Sequence, residues 1–518
     1  MLYLAIIYHM HQPYYKNLLT SETEFPWVRL HGIKDYLDMI LMLDKFPGVK
    51  LNVNLVPSLM EQIADYTNGT VKDRFLELSY KKAAELTDGE KEFIGETFFM
   101  INREKVIARM PRYYELFLYR QARKRFTVQD YLDLQVCFAL AWFDPYFRET
   151  VPVLREAVEK GRFYTEEDKR AVLDVQLEII EEILPGYKRA MDMKQVEVTV
   201  SPYYHPILPL LTDTRIQLEA NPNSVLPQKV FAYPQDALAQ INSGVELYKN
   251  NFGRLPEGMW PSEMSVSEQI LPALIQSGVK WIVTDESILF KSLRCPRRDA
   301  KLLYQAYALK RDAGTLNIVF RDRNLSDLIG FNYYNWRPED AAADLMKHLE
   351  NIQAASKGDD KLVTIAMDGE NAWEYFLNDG HDFLEAWYKL LSESRVIKTV
   401  ALGEHLRDNP PRRSIKHLAA GSWIYGEFSK WINNPYKNKG WEYLIEARRE
   451  LQLLVDQGAA VPPAAWKQMY ILEGSDWYWW LGEDYPGYFD RLFRMHLANF
   501  YTIIGKKIPE YVKRPIVP

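Results

Sequence analysis

The stretch that decides the fold is Val363-Thr-Ile-Ala-Met-Asp368-Gly-Glu-Asn-Ala-Trp373, in which a nearly uninterrupted apolar run ends on an acid and a glycine. A short apolar run of this kind is typical of a strand buried on both faces of a parallel sheet. Strand ends are where parallel α/β folds carry their functional side chains. The stretch therefore predicts a buried strand and a candidate site residue, Asp368.

Six other short apolar runs share this pattern, and most of them end in polar or charged residues. They are Leu2 to Tyr8, Leu51 to Val56, Val196 to Val200, Gly258 to Trp260, Trp281 to Thr284 and Asn317 to Phe320. Between them lie stretches with helical spacing of apolar residues, such as Lys34 to Leu43 and Asp168 to Met191. The alternation of strands and helices predicts an α/β fold with a β/α barrel.

The length of 518 residues exceeds what one compact domain usually holds. We expect a catalytic barrel in residues 1–400, with a helical insertion around 70–190 over the barrel mouth. After residue 400 the strand signal fades, and helical patterns follow at Trp441 to Val455, Ala464 to Leu472 and Tyr488 to Ile504. Residues 401–518 are therefore predicted to form a C-terminal helical domain that contributes to the active-site cleft.

Composition excludes several classes of protein. With 64 basic and 70 acidic residues the net charge is −6, and no basic stripe is present to follow a nucleic acid backbone. Cys137 and Cys295 lack the spacing of a disulfide framework or a thiolate zinc site, and we interpret them as small buried hydrophobes. The first residues lack the basic start of a signal peptide, and no apolar run reaches the roughly 20 residues of a membrane span. A cytoplasmic protein without membrane or nucleic acid partners is expected.

Two carboxylates stand in the contexts that glycoside hydrolysis needs, where one acid protonates the leaving oxygen and another acts at the anomeric carbon. Glu263 ends Gly258-Met-Trp-Pro-Ser-Glu263, in which Pro261 stops the strand. Asp368 follows so apolar a strand that desolvation should raise its pKa, which suits a general acid/base. Each has a simpler alternative: Asp368 could cap a helix, and Glu263 could open the helix that carries Val266.

The chain resembles glycoside hydrolase family 57 in five segments that occur in the order typical of the family. These are His11-Gln12-Pro13, Gln195-Val-Glu-Val-Thr199 running into Ser201-Pro-Tyr-Tyr-His-Pro206, the two acid segments, and Gly421-Ser-Trp-Ile-Tyr-Gly-Glu-Phe428. A later segment, Glu473-Gly-Ser-Asp-Trp-Tyr-Trp-Trp480, is similar to the family's C-terminal aromatic segment.

The resemblance implies an incomplete (β/α)7 barrel followed by a helical bundle, a retaining mechanism, α-glucan substrates and no cofactor or metal. It assigns Glu263 as nucleophile and Asp368 as general acid/base. It also implies that further residues line the subsites, namely His9, His11, Glu197, Trp260, Glu370 and Trp373 near the cleavage point and Trp423, Asp476 and Trp479 from the helical domain. On the residues alone, His11 could be a core histidine, Glu197 could cap a neighbouring element, and Trp477 to Trp480 could be interface packing.

The string from Asp368 to Phe376 is more similar to amylopullulanase and α-amylase members than to transferase or branching members. We therefore expect hydrolysis of α-1,4 bonds, together with α-1,6 bonds, in starch, glycogen or pullulan. Glu427, where an Asn or Asp is more typical, leaves the bond preference open. The alternative is a 4-α-glucanotransferase or glucan branching enzyme, since both reactions share one covalent intermediate. Two other classes are a metal-dependent glycosidase or deacetylase, suggested by His9-x-His11, and a non-catalytic glucan-binding protein.

Overall fold

A computed structural model of the chain describes residues 1–355, 359–483 and 487–517, and in them it contains twelve strands. The strands are β1 Leu2–Met10, β2 Glu22–Thr23, β3 Leu51–Leu55, β4 Lys72–Asp73, β5 Val196–Thr199, β6 Gly258–Met259, β7 Trp281–Asp285, β8 Tyr307–Arg311, β9 Gly314–Arg321, β10 Lys361–Asp368, β11 Ile397–Thr399 and β12 Arg413–Ser414. All seven predicted strands are confirmed, including the strand at the start of the chain.

Two five-stranded sheets form the centre of the molecule. The first has the order β10-β1-β3-β5, with β11 also pairing with β1, and the second has the order β12-β8-β9-β7-β6. Every pairing in them is parallel except that of β8 with β9, which form an antiparallel hairpin. In the register of β1 with β10, His9 stands opposite Asp368.

The two sheets meet at both ends. A parallel bridge joins Val200, just after β5, to Met259 in β6. On the other side, the Asp322 amide donates to the Thr364 carbonyl at 2.8 Å, which brings the end of β9 beside β10. The strands β10, β1, β3, β5, β6, β7 and β9 therefore follow one another in space with the same direction. The predicted α/β class is confirmed.

Helices cover this central layer and are most numerous between β3 and β5. The helices that precede β5 are α1 Trp27–His31, α2 Asp38–Leu41, α3 Pro57–Thr67, α4 Arg74–Tyr80, α5 Asp88–Thr97, α6 Pro111–Gln121, α7 Val128–Trp142, α8 Pro145–Thr150, α9 Pro152–Lys160 and α10 Glu166–Asp192. The helix predicted from Asp168 to Met191 corresponds to α10, which starts with a capping box formed by Thr165 and Asp168.

Further helices connect the later strands, and the last four lie beyond the final strand. They are α11 Leu208–Thr212, α12 Gln217–Ala220, α13 Pro234–Phe252, α14 Leu271–Gln276, α15 Glu286–Ser292, α16 Ala300–Leu303, α17 Arg323–Phe331, α18 Pro338–Ala354, α19 His381–Glu393, α20 Leu402–Asp408, α21 Pro435–Asp456, α22 Pro463–Leu472, α23 Ser475–Trp480 and α24 Tyr488–Ile503. Within that last group, α22 and α23 both pack against α24.

Two local predictions need correction. The helix predicted from Lys34 to Leu43 is interrupted: a π-helical turn at Gly32–Tyr36 precedes α2. The wider turn coincides with a buried ion pair between the Lys34 ammonium and the Asp379 carboxylate, 2.5 Å apart. Cys137 is buried as expected, but Cys295 is partly exposed and its thiol donates to the Arg297 carbonyl. Among the described residues, no helix combines the length and apolar character of a membrane span.

Candidate active site

The carboxyl ends of β1, β6 and β10 bring most of the predicted site residues together. His9 lies in β1 opposite Asp368, the last residue of β10. His11 follows β1 directly, and Glu263 lies four residues after the end of β6. The site is therefore assembled where parallel strands end, as the sequence pattern predicts.

Glu263 occupies an unusual backbone conformation. Pro261 ends the strand, and a 3₁₀ turn at Ser262–Met264 follows in which Glu263 has φ 56° and Met264 has φ 50°. Two consecutive non-glycine residues in the left-handed region are costly, and such strain concentrates at functional sites. The alternative that Glu263 merely opens a helix is wrong, because the next α-helix, α14, begins only at Leu271.

The Glu263 side chain is held between an indole and an imidazole. The Trp423 Nε1–H donates to Glu263 Oε2 at 2.7 Å, and His205 Nδ1 lies 3.9 Å from Glu263 Oε1. Only 15% of the Glu263 side chain is exposed. Burial, and next the charge of Asp368, raises the pKa of Glu263 to about 8, while the hydrogen bond from Trp423 acts in the opposite direction. The two candidate carboxyls therefore interact within one site.

Asp368 caps no helix, because the next helical turn begins only at Trp373. Asn371 Nδ2 donates to Asp368 Oδ2 at 3.3 Å, which is a long hydrogen bond. Burial raises the pKa of Asp368, and the hydrogen bond from Asn371 and the neighbouring His11 and Arg321 partly offset this effect. A carboxyl with a raised pKa and an open oxygen suits proton donation.

Three imidazoles form a stack beside these acids. The His9 ring lies 4.6 Å from Trp260 and 5.0 Å from His205, and the His205 ring lies 4.0 Å from His11. Burial lowers the pKa of His9 to about 3 and that of His205 well below its usual range. Both rings are therefore neutral near pH 7, so each offers one donor and one acceptor nitrogen.

The segment after β12 completes the site with polar groups. His11 Nε2 lies 2.8 Å from Asp476 Oδ1, and His205 Nδ1 lies 3.0 Å from the Ser475 hydroxyl. On the other side, Glu370 accepts from the His11 amide at 2.8 Å and from the Tyr36 hydroxyl at 3.0 Å. Residues far apart in sequence are thus fixed around His11.

The same cluster has the donor atoms of a metal site. The ligand atoms of His11, His205 and Asp476 lie within 4.8 Å of one another. In this cluster, the buried nitrogens His11 Nδ1 and His205 Nε2 have no hydrogen-bond partner among the described residues. Two imidazoles and a carboxylate fit a divalent cation, and the unpaired nitrogens equally fit the hydroxyl groups of a sugar.

Three predicted site residues lie elsewhere or play another part. Glu197 is the second residue of β5, and its partner Trp281 is the first residue of β7, so its carboxylate faces the amino ends of the strands, away from Asp368. Its carboxylate accepts from Trp281 Nε1 and the Gly403 amide. The prediction that Glu197 lines the subsites is thus corrected, because Glu197 is at the wrong end of its strand to reach them.

Trp373 and Trp479 are the other two. Trp373 is buried and packs edge-on against Tyr8 and Phe376, so it supports the loop after Asp368 from within the core. Trp479 is partly exposed, and the Lys430 ammonium lies 4.3 Å from its ring centre. Its ring also lies 5.8 Å from that of Trp431, and its place in the subsites stays a prediction.

His205 and Arg321 are site residues that the sequence reasoning missed. His205 has φ 56° and is completely buried, and Arg321 lies 5.5 Å from the Trp423 ring centre and contacts the Ala366 carbonyl of β10. His205 stands in the quoted segment Ser201-Pro-Tyr-Tyr-His-Pro206, six residues after the end of β5, and that position was the available signal.

The order and spacing of these residues match one known family. The sequence profile of glycosyl hydrolase family 57 matches residues 5–417. The chain belongs to glycosyl hydrolase family 57. The match includes His11, Glu263 and Asp368, while Trp423, Asp476 and Trp479 lie beyond it. No curated protein sequence matches the chain significantly.

Solved structures of family 57 enzymes share the fold across nearly the whole chain. A branching enzyme from Pyrococcus horikoshii is 18% identical, covering 97% of this chain and 89% of its own, with a TM-score of 0.63. The α-amylase AmyC from Thermotoga maritima is 15% identical, covering 97% and 93%, with a TM-score of 0.60. A 4-α-glucanotransferase from Thermococcus litoralis is 14% identical, covering 96% and 59%, with a TM-score of 0.55. At these identities the likeness concerns the fold alone.

Proposed function

We propose that this family 57 chain is a retaining glycoside hydrolase that cleaves α-1,4 and α-1,6 bonds of an α-glucan. The observation that carries the proposal is that Glu263 and Asp368 lie beside one stack of imidazoles: His205 is 3.9 Å from Glu263, and His9, which stacks on His205, stands opposite Asp368 in the sheet. A glycosidase needs two such carboxyls on either side of the scissile bond. The structures that share the fold are those of a branching enzyme, an α-amylase and a 4-α-glucanotransferase, and they support an α-glucan as the substrate.

In the proposed mechanism Glu263 is the nucleophile. The Trp423 indole donates to Glu263 Oε2, which favours the ionised carboxylate and fixes its orientation, and Oε1 is left to attack the anomeric carbon. Asp368, whose pKa is raised by burial, donates a proton to the leaving oxygen. The charge of Asp368 raises the pKa of Glu263, so the ionised form of Glu263 is favoured while Asp368 holds its proton.

The second half of the reaction reverses the roles of proton donor and acceptor. Asp368, now ionised, takes a proton from water. The water oxygen then bonds to the anomeric carbon as the bond between Glu263 and the sugar breaks. His9, His11 and His205 are proposed to bind sugar hydroxyls. Trp260 packs behind them, and Glu370 and Asp476 hold His11 in place. No step of this mechanism requires a cofactor.

We further propose that the seven parallel strands form an incomplete (β/α)7 barrel within residues 1–400, with the helices around 70–190 as an insertion. Residues 401–518 then form the helical domain that adds Trp423 and Asp476 to the cleft. Hydrogen bonds from Trp423 to Glu263 and from Asp476 to His11 support this arrangement.

Product analysis on maltoheptaose and pullulan tests the function. A retaining hydrolase releases new reducing ends from both substrates, and NMR of the first products shows the α-anomer. Longer chains or new branches without a net gain of reducing ends would identify a transferase instead. Dialysis against EDTA is the accompanying test of the His11, His205 and Asp476 cluster: loss of activity that Zn²⁺ restores would identify a metal-dependent enzyme.

Azide distinguishes the two carboxyl roles. In Glu263→Ala, azide can occupy the space of the nucleophile and should yield a β-glycosyl azide from an α-glycoside with a good leaving group. In Asp368→Ala, azide can intercept the covalent intermediate and should yield the α-glycosyl azide. The opposite pairing of variants and products would exchange the roles of Glu263 and Asp368.

A further inference from the structure

We infer that Tyr334 and Tyr375 form a second contact site for the α-glucan chain, outside the cleavage site, that favours polymers over short oligosaccharides. The inference rests on the proposed function, because it takes its ligand from it. The two ring centres lie 5.8 Å apart. Tyr375 is 53% exposed and Tyr334 is partly exposed, so the pair presents aromatic surface to solvent.

The position of the pair connects it to the candidate active site. Tyr375 lies seven residues after Asp368, so it is within about 25 Å of the acid along the chain. Tyr334 lies between α17 and α18, the helices that lead from β9 to β10. Since β9 and β10 are neighbours, both tyrosines stand at the same rim as the two carboxyls. A chain bound at Asp368 and long enough to leave the cleft can therefore reach them.

Hydrogen bonds of neighbouring residues fix the backbone on which Tyr334 and Tyr375 stand, which keeps the exposed faces of the two rings in place. Asn102, from the helical region between β3 and β5, donates from Nδ2 to the Glu374 carbonyl beside Tyr375. Next to Tyr334, the buried Tyr333 bonds Asp344 at 2.8 Å and packs against the 49% exposed Trp336. A rigid aromatic surface loses little conformational entropy on binding, which makes it an effective stacking platform.

The angle between the rings favours one class of ligand. The ring planes are inclined by 52°, so two successive sugar rings that stack on them cannot be coplanar. An α-1,4 glucan curves from one residue to the next, whereas a β-1,4 glucan is a flat ribbon. The pair therefore fits an α-glucan and fits cellulose-type chains poorly.

The experiment uses the full chain carrying Glu263→Gln, so that binding is measured without turnover. Its migration in native gels containing amylose is compared with that of the same chain with Tyr334→Ala and Tyr375→Ala. We expect the double substitution to weaken amylose binding about ten-fold, with no retardation of either protein by carboxymethyl cellulose. Phe163→Ala is the control, because Phe163 is a 65% exposed aromatic without a ring partner among the described residues.

Kinetics with Glu263 intact complete the test. The double variant should show an increased KM for amylose and unchanged kcat/KM for maltotriose. Equal retardation of the double variant and its parent overturns the inference while leaving the proposed function intact, provided that the unsubstituted chain turns over maltoheptaose. Failure of that turnover contradicts the proposed function itself.

If sedimentation instead shows that the substitutions only dissociate a dimer, the pair is an interface between copies. If the double variant misfolds, the single variant Tyr375→Ser replaces it in both experiments, because the Tyr375 ring is exposed and its removal should leave the fold intact.

Discussion

Glu197 and Glu263 are both buried glutamates with raised pKa values, yet they stand at opposite ends of the strands. Burial raises the pKa of Glu197 to about 7 and that of Glu263 to about 8. Each accepts a hydrogen bond from a tryptophan indole, Trp281 for Glu197 and Trp423 for Glu263. A raised pKa is therefore insufficient evidence for a catalytic role.

The surroundings distinguish the two glutamates. Both Glu197 oxygens are occupied, the second by the Gly403 amide at 2.6 Å, and the backbone there is in an ordinary strand. Glu263 has a left-handed backbone, a second carboxyl nearby and one oxygen, Oε1, from which the neutral His205 ring stays 3.9 Å away, beyond hydrogen-bonding distance. The comparison indicates that a satisfied glutamate stabilises a fold, whereas one with an unoccupied oxygen can act on a ligand.

The largest expected effect comes from removing the charge of either site carboxyl. Glu263→Gln and Asp368→Asn should each lower kcat on maltoheptaose by a factor on the order of 10³ to 10⁴, because nucleophile and proton donor each act in the transition state. Glu197→Gln is the matched control and should retain kcat within about two-fold. A large loss in Glu197→Gln, with the fold intact by circular dichroism, would contradict the assignment of Glu197 to the scaffold.

A smaller loss is expected from His205→Ala. Among the residues that the structure describes, the buried Nε2 of this ring has no hydrogen-bond partner, and the ring is proposed to bind the sugar beside Glu263. Its removal should reduce kcat/KM about 100-fold through one or two lost hydrogen bonds in a dry site. His496→Ala is the control, because His496 is also buried but already bonds Gln468 and the Tyr14 carbonyl. Equal activity losses in the two variants would indicate a structural role for His205.

The two tryptophan donors provide a third test. Trp423→Phe removes the donor that favours ionised Glu263, so the pKa of Glu263 should rise. The acidic limb of kcat for an aryl α-maltoside should therefore move to higher pH, with a loss of about ten-fold at pH 6. Trp281→Phe removes the equivalent donor to Glu197 and should leave the pH profile unchanged. A shift in both variants would mean that the two ends of the strands are coupled.

The sequence predicted the central strands well because their apolar runs are continuous and end sharply. It missed β8, whose outer residues Lys310 and Arg311 are polar, and β11, which has only three residues. Asp368 and Glu263 could be predicted as candidates because each closely follows a strand. His11 and Asp476, 465 positions apart, could be connected only through the family resemblance.

The misplacement of Glu197 has a simple physical cause. The sequence of the four-residue strand β5 shows which residues are extended, but not the contacts with Trp281 and Gly403 that hold Glu197 toward the amino ends of the strands. The strained φ of His205 leaves no trace in composition or periodicity either. Such features depend on contacts made after the chain has folded, and local sequence patterns do not contain them.

The smallest effect on turnover is expected from Glu197→Gln. This substitution should instead change how the free energy of unfolding depends on pH. Because the pKa of Glu197 rises from 4.5 to about 7 on folding, the folded protein keeps a proton that the unfolded chain releases in this range. The free energy of unfolding should thus fall by about 3 kcal/mol between pH 4.5 and pH 7 on account of this group. Glutamine does not titrate, so Glu197→Gln should lack that part of the decline.

Urea denaturation at pH 5, 6 and 7 measures this difference. The buried histidines act in the opposite sense below pH 6.5, since their pKa values are lowered, but they contribute equally to both proteins and cancel. Glu263→Gln should behave in the same way up to about pH 8, while also losing activity. If the stability gap between the original chain and Glu197→Gln is constant across pH, Glu197 ionises alike in both states, and burial at this end of the strands is incomplete.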